Sequence, residues 1–531
     1  GALVVPGDSV LVSAQALIPG TEVAELRMRW ALRLNPLFES SLRSAPAGPW
    51  DEDVVTGEVI GGREVWTGSV LLQPAVSASG IPAQGTYFAD LPDADFLYPG
   101  DLLHYNFEAV DSEGRVTTLP SNLGGFGQWS PDGGSSYSRT FTVRALPSID
   151  DVTGTQPSIL VLNAFGRRGN EEELVLAFGE LGLTEGFDWD SYTEQAPTSR
   201  VSNGIGAAAV DGPLGERRGH GARVEQLAGY DTIVVLAGNI GSGVLSDGSD
   251  DGVNDKGNDL GVLDAWKALP RERHTVYFGD SIASALELDS SDGAAYVTTV
   301  MGVTVEGPDV SPAIGGLAVP LVEPSGVSEA FTAGVVAYGG CPGLNTFDHV
   351  TPGPVGAFAS HVFVDPSSGV AFSGPAAGVA YDRLDGFDRK VDVTFPFGLS
   401  AVRENLSRDS GLGSARTRLL RDVFEFLGGP PIAVDAPALR TASLAVHPTP
   451  FNPSTQVVFV LPRAGVEATV EVFNARGERV RMLHDGTAAA AELRLDWNGR
   501  DDRGSVVGSG VYYVKAVTEG FSDTRKAVLI K

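Results

Sequence analysis

Glycine and proline punctuate this chain more than any other residues in it. Its 531 residues include 67 Gly and 33 Pro, nearly a fifth of the total. Glycine opens positive φ at turns and proline removes a backbone donor, so long helices and long unbroken strands are both disfavoured. Apolar side chains make up 42% of the chain and charged ones 20%, ordinary values for packed domains. Short strands joined by many turns are the expected result. One hydrophobic core cannot serve this length, and three or four domains are expected.

The formal charge of −29 is unevenly spread. Residues 441–531 hold 11 basic and 10 acidic side chains, leaving a net of −30 on residues 1–440. A body this acidic repels nucleic acid and anionic membrane and favours solubility and cations. Cys341 is the single cysteine, so no intrachain disulfide is possible. No segment approaches the roughly 20 apolar residues of a membrane-spanning helix. Gly1-Ala-Leu-Val-Val has neither a basic leader nor a long apolar stretch, and the expectation is a chain that begins after signal removal.

Residues 1–148 read as a β-sandwich. Ser9-Val-Leu-Val-Ser-Ala and Glu25-Leu-Arg-Met-Arg-Trp30 alternate at period two, and Leu103–Ala109 follows a Pro99-Gly-Asp101 turn. This order resembles the immunoglobulin-like and fibronectin-like modules of secreted bacterial proteins. Residues 34–64 and 121–136 read as loop insertions. Trp50, Trp66 and Trp129 are either binding platforms or staples that hold those loops down.

Residues 155–428 change character. Apolar runs at Ser158–Leu162, Thr232–Ala237 and His274–Phe278 suit buried parallel strands. Helical patterns lie between and after them, at Glu171–Phe178, Leu260–Leu269 and Ala415–Leu427. The alternation predicts a central α/β domain with a doubly wound parallel sheet. It resembles class I glutamine amidotransferase-like and flavodoxin-like domains. The resemblance implies a nucleophilic cysteine at a sharp turn after a central strand. Here Val276-Tyr-Phe-Gly279-Asp280-Ser281 puts Asp280 in that place, and no His-x-Glu pair precedes the last helix. The domain is therefore expected to be catalytically degenerate. Asp280, Ser281 and Cys341, the last with His349 and His361 nearby in sequence, are the remaining catalytic candidates.

A proline-rich linker is expected at 429–443, and a second β-sandwich at 444–531. Its strands are predicted at 456–461, 468–473, 479–483, 492–497, 510–518 and 525–530, with turns at Asn474-Ala-Arg-Gly477 and Asp501-Asp-Arg-Gly504. Pro448-Thr-Pro-Phe451-Asn452-Pro453, Gly508-Ser-Gly510-Val-Tyr512-Tyr and the closing Arg525-Lys526-Ala-Val-Leu-Ile-Lys531 resemble the C-terminal sorting domain of type IX secretion cargo. They also resemble the immunoglobulin-like domain of the flagellar hook-capping protein. The resemblance implies a bacterial protein, secreted or held at the outer cell surface, whose C-terminal partner is the secretion machinery.

One loop has metal-ligand spacing. Asp247, Ser249, Asp251 and Asp255 offer oxygens at positions 1, 3, 5 and 9, with Gly252 at the sharp turn. It resembles the calcium loops of dockerin and thrombospondin type 3 repeats, except that Asn258 stands at position 12, beside Asp259. Calcium is one expectation, and a solvated Asp/Gly loop is the other. Gly204-Ile-Gly206 and Gly238-Asn-Ile-Gly241 lack the pattern of a phosphate loop, so no nucleotide is expected. Three functions stay open: a structural or adhesive surface protein that can self-assemble, a secreted hydrolase with its site at the carboxyl edge of the central sheet, and a polymer- or carbohydrate-binding surface protein.

Overall fold

The computed structural model describes residues 3–4, 10–38, 50, 52–77, 80–89, 96–129, 137–151, 153–164, 170–194, 204–206, 209–211, 217–219, 222, 224–238, 244–247, 258–337, 347–403, 414–429, 443–461, 465–488, 492–518 and 521–530. Gly1–Leu176 with Thr184–Arg408 form one compact unit, and Ala177–Leu183 with Asp409–Lys531 a second.

The first unit opens with two antiparallel sheets. Val23–Arg33 lies at the centre of the larger, between Arg63–Leu71 and Leu102–Asp111. The smaller contains Leu3–Val4, Gln73–Ser77, Pro82–Ala89 and Val10–Ser13. Period-two alternation turns Leu26, Met28, Trp30 and Leu32 into a common core with Val70, Leu72, Leu103 and Phe107. Trp30 meets Phe96 edge-on at 5.4 Å and Trp50 at 6.0 Å. A Cβ on Gly68 would come within 2.4 Å of the Trp30 ring, so only glycine lets the cross-strand indole lie flat there.

The junction that follows is held by polar contacts. Asn35 Nδ2 donates to Ile149 O at 3.1 Å. The buried carboxylate of Asp190 accepts from Ser148 N at 2.9 Å and from Tyr230 OH at 2.6 Å. Burial raises the Asp190 carboxyl above its ordinary range, against these donors.

The central sheet has eleven strands. We label β1 (Ile159–Ala164), α1 (Glu171–Glu180), β2 (Trp189–Glu194), β3 (Thr232–Gly238), α2 (Asp259–Lys267), β4 (Arg273–Gly279), α3 (Ile282–Asp289), β5 (Ala371–Asp385) and β6 (Asp388–Phe395). Five strands pair in parallel in the order β2-β1-β3-β4-β6. Every residue of β3 and β4 is buried, which is why both read as continuous apolar runs. The sheet is mixed, however, and not parallel throughout as the alternation of strands and helices had implied. Beyond β6 the pairing turns antiparallel, through β5, Ala357–Val364, Leu321–Pro324 and Val335–Val336. The tight Asp385-Gly386-Phe387-Asp388 turn, with Gly386 at φ 64, makes the reversal possible.

Charges are buried beneath the sheet. Asp392 on β6 is fully buried, forms an ion pair with Lys267 Nζ at 2.7 Å and accepts Arg383 Nη1 at 2.7 Å. Burial lowers the proton affinity of Lys267, and Asp392 opposes the shift.

In the second unit, helix Ala415–Phe426 starts at Ser414, whose hydroxyl accepts Thr417 N at 3.3 Å. Two further sheets follow. Ser443–His447, Thr455–Val460 and Glu492–Trp497 form one; Arg479–Thr487, Glu467–Asn474, Gly510–Thr518 and Phe521–Leu529 form the other. Apart from its two end residues, the expected linker lies outside the described residues.

Candidate functional site

The carboxyl end of β4 turns sharply into α3. Asp280 N donates to Gly238 O at the end of β3, at 2.8 Å. Ser281 then takes φ 59, ψ 18, a left-handed conformation that a residue with a Cβ adopts only under constraint. This strand–turn–helix shape is the kind that nucleophile elbows use. The backbone constraint falls on Ser281, one residue after the Asp280 position expected from the sequence.

Asp280 is 6% exposed, and its Oδ1 accepts Gly398 N at 3.0 Å. Burial, followed by the nearby Asp348, pushes its carboxyl up to about 7. Asp348 is 0% exposed. Its Oδ2 accepts Ala283 N at 2.9 Å and Ser284 N at 3.2 Å, which occupies amides in the first turn of α3. Burial pushes Asp348 up to about 6 against those amides. Gly398 is fixed by crowding: a Cβ there would lie 2.4 Å from Asn170 Oδ1 and 3.0 Å from Gly238 Cα. Asn170 Oδ1 also accepts Ser400 N at 3.1 Å.

Sequence reasoning singled out Asp280 and Ser281 but missed Asp348, Gly398 and Asn170. Nothing in Phe347-Asp348-His349 marks its aspartate as the partner of a helix 65 residues earlier. Cys341 lies outside the described residues. His361 is fully buried, between Phe331 at 5.4 Å and Phe395 at 5.5 Å, with Nδ1 3.2 Å from Ser360 Oγ. Burial lowers it to about 4, so it is a neutral core histidine near neutral pH. His349 opens a separate strand, His349–Pro352.

Of the six expected calcium ligands, Ser249, Asp251 and Asp255 lie outside the described residues. Asp247 bridges to Asn258 across the base of the loop. Asn258 caps α2, its side chain accepting Gly261 N at 2.6 Å. Asp259 is fully buried and accepts Gly206 N at 2.6 Å, with Ser246 N and Oγ at 3.0 Å each. Asn258 and Asp259 thus already serve local protein contacts. Among the described residues no group of three or more His, Cys, Asp or Glu side chains is arranged to hold a metal.

The tryptophans considered as platforms are core residues. Trp50 is 1% exposed, Trp66 4% and Trp129 8%. Trp129 stacks 3.7 Å from His104, with the Arg33 guanidinium 5.5 Å from its ring centre. They are packed in the core, Trp66 within the strand Arg63–Leu71, and present no aromatic row to solvent; the expected 34–64 loop insertion itself contains a strand, Glu52–Ile60.

In the C-terminal domain the motif residues form a core and its turns. Trp497 is 1% exposed and packs on Phe451 at 5.3 Å and Tyr512 at 5.0 Å. Its Nε1 donates to Arg500 O at 3.0 Å, while Tyr512 OH donates to Gly508 O at 2.7 Å. Phe451 N donates to Val528 O at 2.9 Å and Ile530 N to Phe451 O at 3.0 Å, tying the Phe451-Asn452-Pro453 entry to the final strand. Asp501 Oδ1 accepts Arg503 N at 3.0 Å and Ser505 N at 2.8 Å, so Asp501 and its neighbour Asp502 belong to a turn.

Residues 449–520 match the FlgD Ig-like domain. The C-terminal sandwich is therefore Ig-like, as its motifs implied. No curated protein matches the chain. Among solved structures, PorZ, a bacterial surface component of the type-IX secretion system of Porphyromonas gingivalis, is 26% identical over 17% of this chain and 12% of its own, with a TM-score of 0.13. FlgD from P. aeruginosa is 22% identical over 17% of this chain and 74% of its own, at a TM-score of 0.14. Dimeric latent PorU from P. gingivalis is 13% identical over 44% of this chain and 17% of its own, at 0.16. Each likeness is local. Among the described residues no helix is long and apolar enough to cross a membrane.

Proposed function

We propose that this is a bacterial protein exported to the cell surface or medium by a type IX-like route, with its Ig-like C-terminal domain as the sorting element. There it acts as a structural or adhesive component and not as an enzyme. The observation that carries this reading is the match at 449–520, in a sandwich whose core residues Phe451, Trp497 and Tyr512 come from the motifs that resemble sorting domains. The parallel strand order β2-β1-β3-β4-β6 supports reading the central sheet as a doubly wound, flavodoxin-like or amidotransferase-like unit whose chemistry has been lost. The strained elbow position, where that family carries its cysteine, is filled by Ser281, and Asp348 occupies amides of the helix that follows.

Deleting residues 441–531 tests the export reading. The truncated protein is expected in the periplasm of a host with the secretion route, and normal export of it would refute the reading. A purified full-length chain is expected to turn over no peptide, ester or glycoside. Turnover lost in Ser281→Ala or Asp280→Asn would favour the hydrolase reading. Calcium at the 247–259 loop remains part of the proposal, with binding heat lost in Asp251→Ala as its signature. Self-association through strand edges would be seen as a calcium-dependent rise in light scattering.

A further inference from the structure

The elbow contains two carboxyl groups for which export has no use. Asp348 rests Oδ2 on Ala283 N and Ser284 N. Its Oδ1 is buried and has no hydrogen-bond partner. A buried polar oxygen ordinarily has a donor. Asp280 stands three residues before Ala283 on the same turn, with Gly398 N on its Oδ1. Because Asp348 accepts the Ala283 and Ser284 amides and Asp280 stands on the turn that leads into them, the two carboxyls belong to one elbow.

The two sides are unequal. Asp348 lies at the positive end of α3 and accepts two of its amides, an arrangement that favours the anion. Asp280 accepts one amide, from the segment that follows β6. Glu287 on α3 is the further charge acting on Asp348, and it also opposes a second anion. Asn170 and Ser400, the polar residues beside Gly398, are neutral.

We propose that Asp280 and Asp348 form a one-proton carboxyl pair that latches the elbow. Neutral Asp280 supplies, directly or across one water, the donor that Asp348 Oδ1 lacks. The latch ties α3 and the segment at Gly398, which follows β6, to the segment at Phe347–Asp348. When the proton leaves Asp280 for solvent, two buried anions face each other and the latch loosens. The sign follows from linkage. Both carboxyls bind their protons more tightly folded than unfolded, so the stabilisation is complete below an ordinary carboxyl value of about 4 and is lost as pH rises through the folded values of about 6 and about 7.

Hydrogen exchange of the full chain, corrected for the intrinsic pH dependence of exchange, tests this on peptides spanning 278–289 and 395–401. Above about pH 6, where Asp348 is ionised and one proton remains on the pair, protection in the wild type is expected to fall by up to about tenfold per pH unit, and Asp280→Asn, which keeps a donor without the charge, is expected to hold its protection across that range. An equal fall in Asp280→Asn would overturn the latch. Infrared difference spectra of the wild type need no variant. A neutral-carboxyl C=O band should be present at about pH 6 and lost by about pH 9. A wild-type spectrum without that band would overturn the proposal as well.

Discussion

Asp501 in the C-terminal domain and Asp280 at the elbow are both aspartates that accept backbone amides at a turn, yet their surroundings differ. Asp501 takes the amides of Arg503 and Ser505, two and four residues ahead, in a partly exposed hairpin. Asp280 takes the amide of Gly398, 118 residues away, and is buried beside a second carboxyl. The first arrangement is written into a stretch of five residues. The second exists only once β4, α3, β6 and the segment carrying Asp348 have assembled. A turn aspartate therefore tolerates pH and substitution, whereas a buried one makes its whole unit respond to both.

The largest expected effect is on the core that the C-terminal motifs build. Trp497→Ala should destabilise the Ig-like domain by about 3–5 kcal/mol, because it empties the space between Phe451 and Tyr512. Denaturant unfolding of the isolated transition checks it, and a change under about 1 kcal/mol would mean that the motif tryptophan is not a core anchor.

The C-terminal sandwich was legible for a local reason. Its turn residues and alternating runs placed strands close to Thr455–Val460, Glu467–Asn474, Glu492–Trp497 and Gly510–Thr518. Ser443–His447 was missed: its first residue fell in the expected linker and the rest was placed in the sandwich without a strand. In the first unit the runs at β1, β3 and β4 were equally legible, since strands buried on both faces have no polar alternation. The antiparallel half of that sheet was not. Its partners are set by long-range pairing, as between Leu321–Pro324 and Ala357–Val364. Asp348 was invisible for the same reason, while Asp280 was found because it directly follows an apolar strand.

A comparison of the two units across pH sharpens the contrast. Above about pH 6.5, where the buried His104, His274 and His361 are neutral folded and unfolded alike, the first unit should lose stability as the elbow releases its proton. Among its described residues the Ig-like domain buries no carboxyl, so its unfolding transition should stay nearly level over the same range. Two transitions with equal pH slopes would remove the distinction.

Smaller effects follow at single positions. Gly398→Ala should cost about 1–3 kcal/mol, since its methyl group would press on Asn170 Oδ1 and Gly238 Cα. Asp501→Ala should cost only about 1 kcal/mol, the worth of turn hydrogen bonds that water can partly replace. If Asp501→Ala proved the more damaging, the ranking of long-range contacts at the elbow over local turn contacts would be wrong.

The central claim is that the C-terminal domain is an address, separable from the body that precedes it. The most direct measurement fuses residues 441–531 to an unrelated periplasmic reporter in a host with a type IX route and follows where the reporter goes. The account predicts surface or extracellular reporter, with Trp497→Ala returning it to the periplasm. A reporter that stays in the periplasm with the intact domain, folded and uncleaved, would contradict it.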